Sequence, residues 1–99
     1  MAAEIGNELE TALQEFSEVL AEVGEPGFAS AMSRLRSALQ AAETPEERRP
    51  ILSQGLAFFG GMNSLNDVVV MQGSKPDIEA NRRVDRLRTR VYDLLVEQL

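Results

Sequence analysis

The chain has no histidine, no cysteine and no tryptophan. Thiol nucleophiles, imidazole bases, zinc centres built on cysteine or histidine, and disulfide frameworks are therefore excluded before any motif is read. Long apolar runs are missing too. Stretches such as Val68 to Met71 fall far short of the roughly 18 residues a membrane span needs, and Met1-Ala2-Ala3-Glu4 lacks the basic region of a secretory leader. The expectation is a chain with no membrane contact, no metal and no cofactor, suited by its lack of cysteine to a reducing cytoplasm.

What is present is the balance of an ordinary globular domain, with 43% hydrophobic and 26% charged residues. Ninety-nine residues make one domain, 1–99, able to bury roughly 60 to 65% of the surface it would expose unfolded. The net charge of -6 is unevenly spread. Residues 1–25 carry seven Glu and no Lys or Arg, residues 26–75 carry four acids and five bases, and residues 76–99 carry five of each. The excess of acid thus belongs to the first quarter of the chain.

Apolar residues at Ile5, Leu9, Ala12, Leu13, Phe16, Val19, Leu20 and Val23 have the spacing of an amphipathic helix. They cover an arc of about 120°. Glu4, Glu8, Glu15, Glu18 and Glu22 fall on a neighbouring arc, so apolar stripe and acidic ridge lie side by side. Gly24-Glu25-Pro26-Gly27 ends this helix. Phe28, Met32, Leu35, Leu39 and Ala42 set the stripe of a second helix, with Arg34 and Arg36 turned away. Thr44-Pro45-Glu46-Glu47 starts a third, with threonine as N-cap, proline at the first helical position and Glu47 placed to complete a capping box. Pro50 predicts a kink, or a short turn and a fresh helix from Pro50 to about Phe59 with Ile51, Leu52, Leu56 and Phe59 buried.

From Met62 to Gln72 two readings compete. Val68-Val69-Val70 favours a strand, but nothing else in the chain alternates with period two to pair with it. Ser64 with Asp67 three residues on resembles a capping box, and Gly73 suits a helix end, so a short helix is expected. Pro76-Asp77 opens the last helix, with Ile78, Val84, Leu87, Val91, Leu94 and Leu95 on one face. The expected fold is all-α, a single antiparallel bundle of four main helices plus one short helix.

Gly60, Gly61, Ser64, Asn66 and Asp67 form the main candidate constellation. Paired glycines permit backbone conformations closed to other residues and let another chain approach closely, and the polar side chains readily bond nearby amides. The plain reading is a helix break followed by an N-cap; the sharper one is a recognition loop or a buried polar pin. Asn81 interrupts the apolar stripe of the last helix, and a buried amide needs partners. Asn66 or Asp67 are the expected ones, tying the glycine segment to the last helix; the alternative leaves Asn81 at the helix rim.

The run Phe59-Gly60-Gly61-Met62-Asn63-Ser64-Leu65-Asn66-Asp67-Val68-Val69, with Asn81 and Leu87-Arg88…Val91-Tyr92, resembles a family of short bacterial proteins known only as a domain of unknown function. There a Gly-Gly-Met-Gly-Ser-Leu-Asn-Asp type motif precedes a C-terminal helix; this chain has Asn63 at the fourth position. The resemblance spans roughly residues 56–95. It implies a bacterial source and a small helical domain, and supplies no catalytic residues. Small acidic helical proteins of this kind include immunity and antitoxin partners, by analogy only.

Arg82, Arg86 and Arg90 line up at i+4 spacing and could grip phosphate, yet Asp77, Glu79, Asp85 and Asp93 are interleaved. A solvated face, or an internal match to the acidic ridge, is the better expectation, and nucleic acid is not an expected partner. The ridge itself is either a soluble surface or a docking site for a basic partner. Like charges at i+3 and i+4 repel by a few tenths of a kcal/mol per pair, which a basic partner would relieve. The leading expectation is a non-enzymatic protein-binding module, an immunity-like or antitoxin-like inhibitor of a basic toxin, using Glu4, Glu8, Glu15, Glu18 and Glu22. The alternative is a structural homodimer in which the first helix of one chain meets the last helix of another. An enzyme using Asp67 with Ser64 or Tyr92 would lack a base tuned near neutral pH.

Overall fold

A computed structural model describes the backbone of residues 2–61 and 64–99, and side chains from residue 8 onward within those spans. Its elements are α1 (Ala2–Glu22), α2 (Pro26–Ala41), α3 (Pro45–Ala57), a 3₁₀ turn (Leu65–Asp67), β1 (Met71–Gln72), β2 (Lys75–Pro76) and α4 (Ile78–Gln98). The main contacts between helices run α1 to α2, α2 to α3, α3 to α4 and α4 back to α1. Leu9, Leu13, Phe16 and Leu20 of α1 meet Met32 and Leu39 of α2, Leu52 of α3 and Val84, Val91 and Leu95 of α4 in one core.

Each terminator acts through a definite bond. At the end of α1 the amide of Glu25 donates to Leu20 O at 2.8 Å and that of Gly24 to Ala21 O at 3.2 Å. This nested pair requires the left-handed φ of 85° that Gly24 adopts. Ser17 Oγ then donates to Ala29 O at 2.9 Å, tying α1 to the first turn of α2. Thr44 caps α3 by accepting from the Glu47 amide at 3.1 Å. The Glu47 carboxylate reaches one residue further back than expected and accepts from the Glu43 amide at 2.7 Å.

Three expectations are corrected. First, α3 continues through Pro50 as one helix, which overturns the alternative of a short turn and a fresh helix from Pro50. Pro50 stands one turn inside the helix and is exposed, so only the Glu46 carbonyl loses its helical donor, and that exposed group can turn to water. Second, no short helix spans residues 64–72. Its place is taken by the 3₁₀ turn, an extended Val68–Val70 run and a two-stranded antiparallel hairpin, with Met71 opposite Pro76 and Gln72 opposite Lys75. Gly73, at φ 68°, sits in the two-residue turn instead of ending a helix. The valine run is not itself in a strand; β1, which follows it, pairs with a strand of two residues, too short to show a period in sequence. Third, Ile78 is 68% exposed and does not join the buried stripe of α4. At 100° per residue it stands about 120° round the helix from Val84, a phase error concealed by its apolar character.

Candidate functional site

The motif residues build a joint between α3 and α4. The Leu65 amide donates to Phe58 O at 2.8 Å, and the Asn66 side-chain amide donates to Phe59 O, so two carbonyls at the exit of α3 gain partners. Ser64, the one buried polar residue among the described residues, accepts through Oγ from the Asn66 amide at 3.2 Å. The Asp67 carboxylate in turn accepts from the Ser64 amide at 3.1 Å. From α4, Arg88 donates to Leu65 O at 3.0 Å and pairs with Asp85. Gly60 and Gly61 are exposed. Met62 and Asn63 lie outside the described residues.

Asn81 has different partners from those expected. Its Oδ1 accepts from the Val70 amide at 2.8 Å, while Nδ2 donates to Val70 O at 3.0 Å and to Asp77 O at 2.7 Å. The Asp77 amide also donates to Val70 O at 2.9 Å. The carboxamide therefore takes the place of a neighbouring strand, engaging donor and acceptor of one residue as a ladder partner would. Asn81 ties the valine run to α4; Asn66 and Asp67 serve the α3 joint. Among the described residues no buried side-chain nitrogen or oxygen lacks a partner.

The acidic ridge divides into paired and unpaired members. Glu8 lies 3.6 Å from Arg90 and Glu22 3.1 Å from Arg83, both bridging α1 to α4. Glu15 and Glu18 are exposed and make no ion pair among the described residues; Glu18 accepts only from Gln14 at 2.9 Å. The Glu4 side chain lies outside the described residues. Arg82 and Arg86 are exposed with no ion pair among the described residues, so the three-arginine row is broken by the engagement of Arg90 with Glu8.

Two residues with no place among the sequence candidates organise this arrangement. Arg48 donates to Leu39 O at 3.2 Å and to Gln98 Oε1 at 2.6 Å, and lies 3.7 Å from Glu10. One guanidinium on α3 thus reaches the ends of α2 and α4 and the flank of α1. Gly55 is buried where α3 passes close to its neighbours: a Cβ there would stand 2.8 Å from Leu35 Cδ2 and 3.1 Å from Leu95 Cδ2. Both had a signal, since Arg48, Leu52, Gly55 and Phe59 follow the i, i+4, i+7, i+11 spacing of a single stripe.

The grooves lined by described residues are shallow. Phe59, Asn66, Arg88, Thr89 and Tyr92 line a groove of about 270 Å³, where the Phe59 and Tyr92 rings meet edge to face at 5.4 Å. Among the described residues no three metal-binding side chains converge, and no helix is long and apolar enough to cross a membrane.

These features define a small helical domain with a polar joint and an extended segment clamped onto its last helix. The chain belongs to the family described as a domain of unknown function, DUF6966, whose model matches residues 21–78. The matched span holds the whole Gly60–Asp67 motif and Val70, and it stops three residues before Asn81. No curated protein and no solved structure matched the chain.

Proposed function

We propose that this chain is a non-enzymatic protein-binding module that docks a basic protein on the exposed flank of α1, in the manner of an immunity or antitoxin inhibitor. The observation that carries the reading is the split within the ridge. Glu8 and Glu22 are matched by Arg90 and Arg83 of the same chain, whereas Glu15 and Glu18 stand exposed and unmatched among the described residues. They form the part of the ridge whose field is available to a partner. The interleaved acids of α4, and the use of Arg83 and Arg90 inside the molecule, favour a protein partner over nucleic acid. The motif at residues 60–67 and a cysteine-free composition suit a bacterial, cytoplasmic setting.

The reading includes an antiparallel arrangement of the four helices. Glu22 meets Arg83 and Glu8 meets Arg90, an order that reverses between α1 and α4. Arg48 of α3 with Gln98 of α4, and Phe59 just past α3 with Tyr92 of α4, support the same reversal. Within one chain the α1 to α4 pairs already use Glu8, Glu22, Arg83 and Arg90, which leaves a homodimer joined through those helices only Glu15 and Glu18 with Arg82 and Arg86.

The test is co-expression with the protein encoded beside this one, followed by calorimetry. The double variant Glu15→Lys/Glu18→Lys is expected to weaken binding about 100-fold or more, and raising NaCl from about 50 to about 300 mM to weaken the wild-type complex about 10-fold. A complex indifferent to both changes would exclude the α1 flank.

A further inference from the structure

The hairpin offers a second surface, independent of α1. The Asp77 amide donates to Val70 O, one bond beyond the Met71–Pro76 pair, while the Val70 amide donates to Asn81, so both backbone groups of Val70 face inward. The flanking residues Val69 and Met71 then turn their amides and carbonyls outward, along the free edge of β1. Val69 makes no hydrogen bond among the described residues. Val69 is 60% exposed and Met71 52% exposed, with side chains on the same face as Pro76, which is opposite Met71. The two edges of the hairpin are unequal. Pro76 has no amide to give, so the β2 edge is closed to further pairing while the β1 edge stays open.

We propose that the β1 edge pairs with the β1 edge of a second copy of this chain, antiparallel about a two-fold axis centred on Val70, to make a four-stranded sheet. Charge selects this occupant and this direction. Asp67 is the only acid between Glu47 and Asp77, and Lys75 the only base between Arg49 and Arg82. Asp67 stands before the open edge and Lys75 just past the turn, on β2 opposite Gln72, and both are exposed. One Asp67 oxygen accepts from Ser64, while Lys75 makes no ion pair among the described residues. Antiparallel pairing brings Val69 opposite Met71 of the second copy and sets each Asp67 beside the other copy's turn and its Lys75. Parallel pairing would set like against like. The closed β2 edge ends growth at two copies, where two open edges would propagate a fibre. A contact of two short strands buries well under the roughly 800 Å² per partner of a stable complex, so the dimer is concentration-dependent.

Sedimentation velocity and amide exchange from about 20 µM to about 1 mM test this. The expected result is a rising dimer fraction, with the Val69 and Met71 amides protected several-fold more at the upper concentration. Val69→Lys, at an exposed position that leaves the core untouched, is expected to abolish both signals; Lys75→Glu is expected to weaken them, and Glu15→Lys to leave them unchanged. A monomer throughout the range, a dimer that survives Val69→Lys, or protection appearing on the helices instead of the edge would overturn the proposal. None of these outcomes bears on binding of a basic protein at α1.

Discussion

Asn81 replaces a missing strand with one side chain. Leucine at this position would leave the Val70 amide without its acceptor and remove a donor shared by Val70 O and Asp77 O. Asn81→Leu is expected to cost about 1 to 3 kcal/mol in urea denaturation; an unchanged midpoint would mean that water replaces the carboxamide at no cost. Arg48→Met keeps the aliphatic stem and loses the bonds to Leu39 O and Gln98. About 1 to 2 kcal/mol of destabilisation is expected, measured the same way. Sequence marked Asn81 as a polar residue where the stripe calls for an apolar one, which correctly predicts a need for partners. It did not name them, because Val70 comes within reach only once the hairpin folds the chain back by eleven residues.

For whole elements, the informative cases are α3 and the hairpin. α3 carries an internal proline and a buried glycine, two residues that disfavour helix. Packing overrides both, with Gly55 serving as the point where Leu35 and Leu95 close over the backbone. Gly55→Val is expected to destabilise by about 1 to 3 kcal/mol, because those buried leucines must move. A variant as stable as the parent would show that the leucines repack freely. The caps at Thr44, Ser64 and Gly24 were legible because capping is a local bond between residues a few positions apart. The hairpin was not, since two-residue strands lie below the length at which alternation can be seen, and its clamp comes from another element.

Considered as a whole molecule, charge is more evenly matched than the acidic first quarter implies. The exposed α1 to α4 pairs are the kind that contribute little to stability and are screened by salt. Unfolding midpoints are therefore expected to change little between about 50 and about 500 mM NaCl, while binding of a basic partner falls steeply over the same range. Parallel loss of both would mean that the ridge serves folding and not docking.

Spacing and capping alone were enough for the helical class, three of the helix boundaries, the amphipathic face of α1, that of α4 apart from Ile78, and the placing of the negative charge at one end of the chain. These depend on spacing and on caps, which are properties of neighbours in sequence. Only the tertiary structure decided which glutamates remain open, what Asn81 holds and why a helix tolerates Gly55 at its centre. Each of those depends on a residue from a distant element, as when Arg83 reaches Glu22 or Asn81 reaches Val70. No local pattern carries that information, because the energy of each contact exists only after the helices have packed.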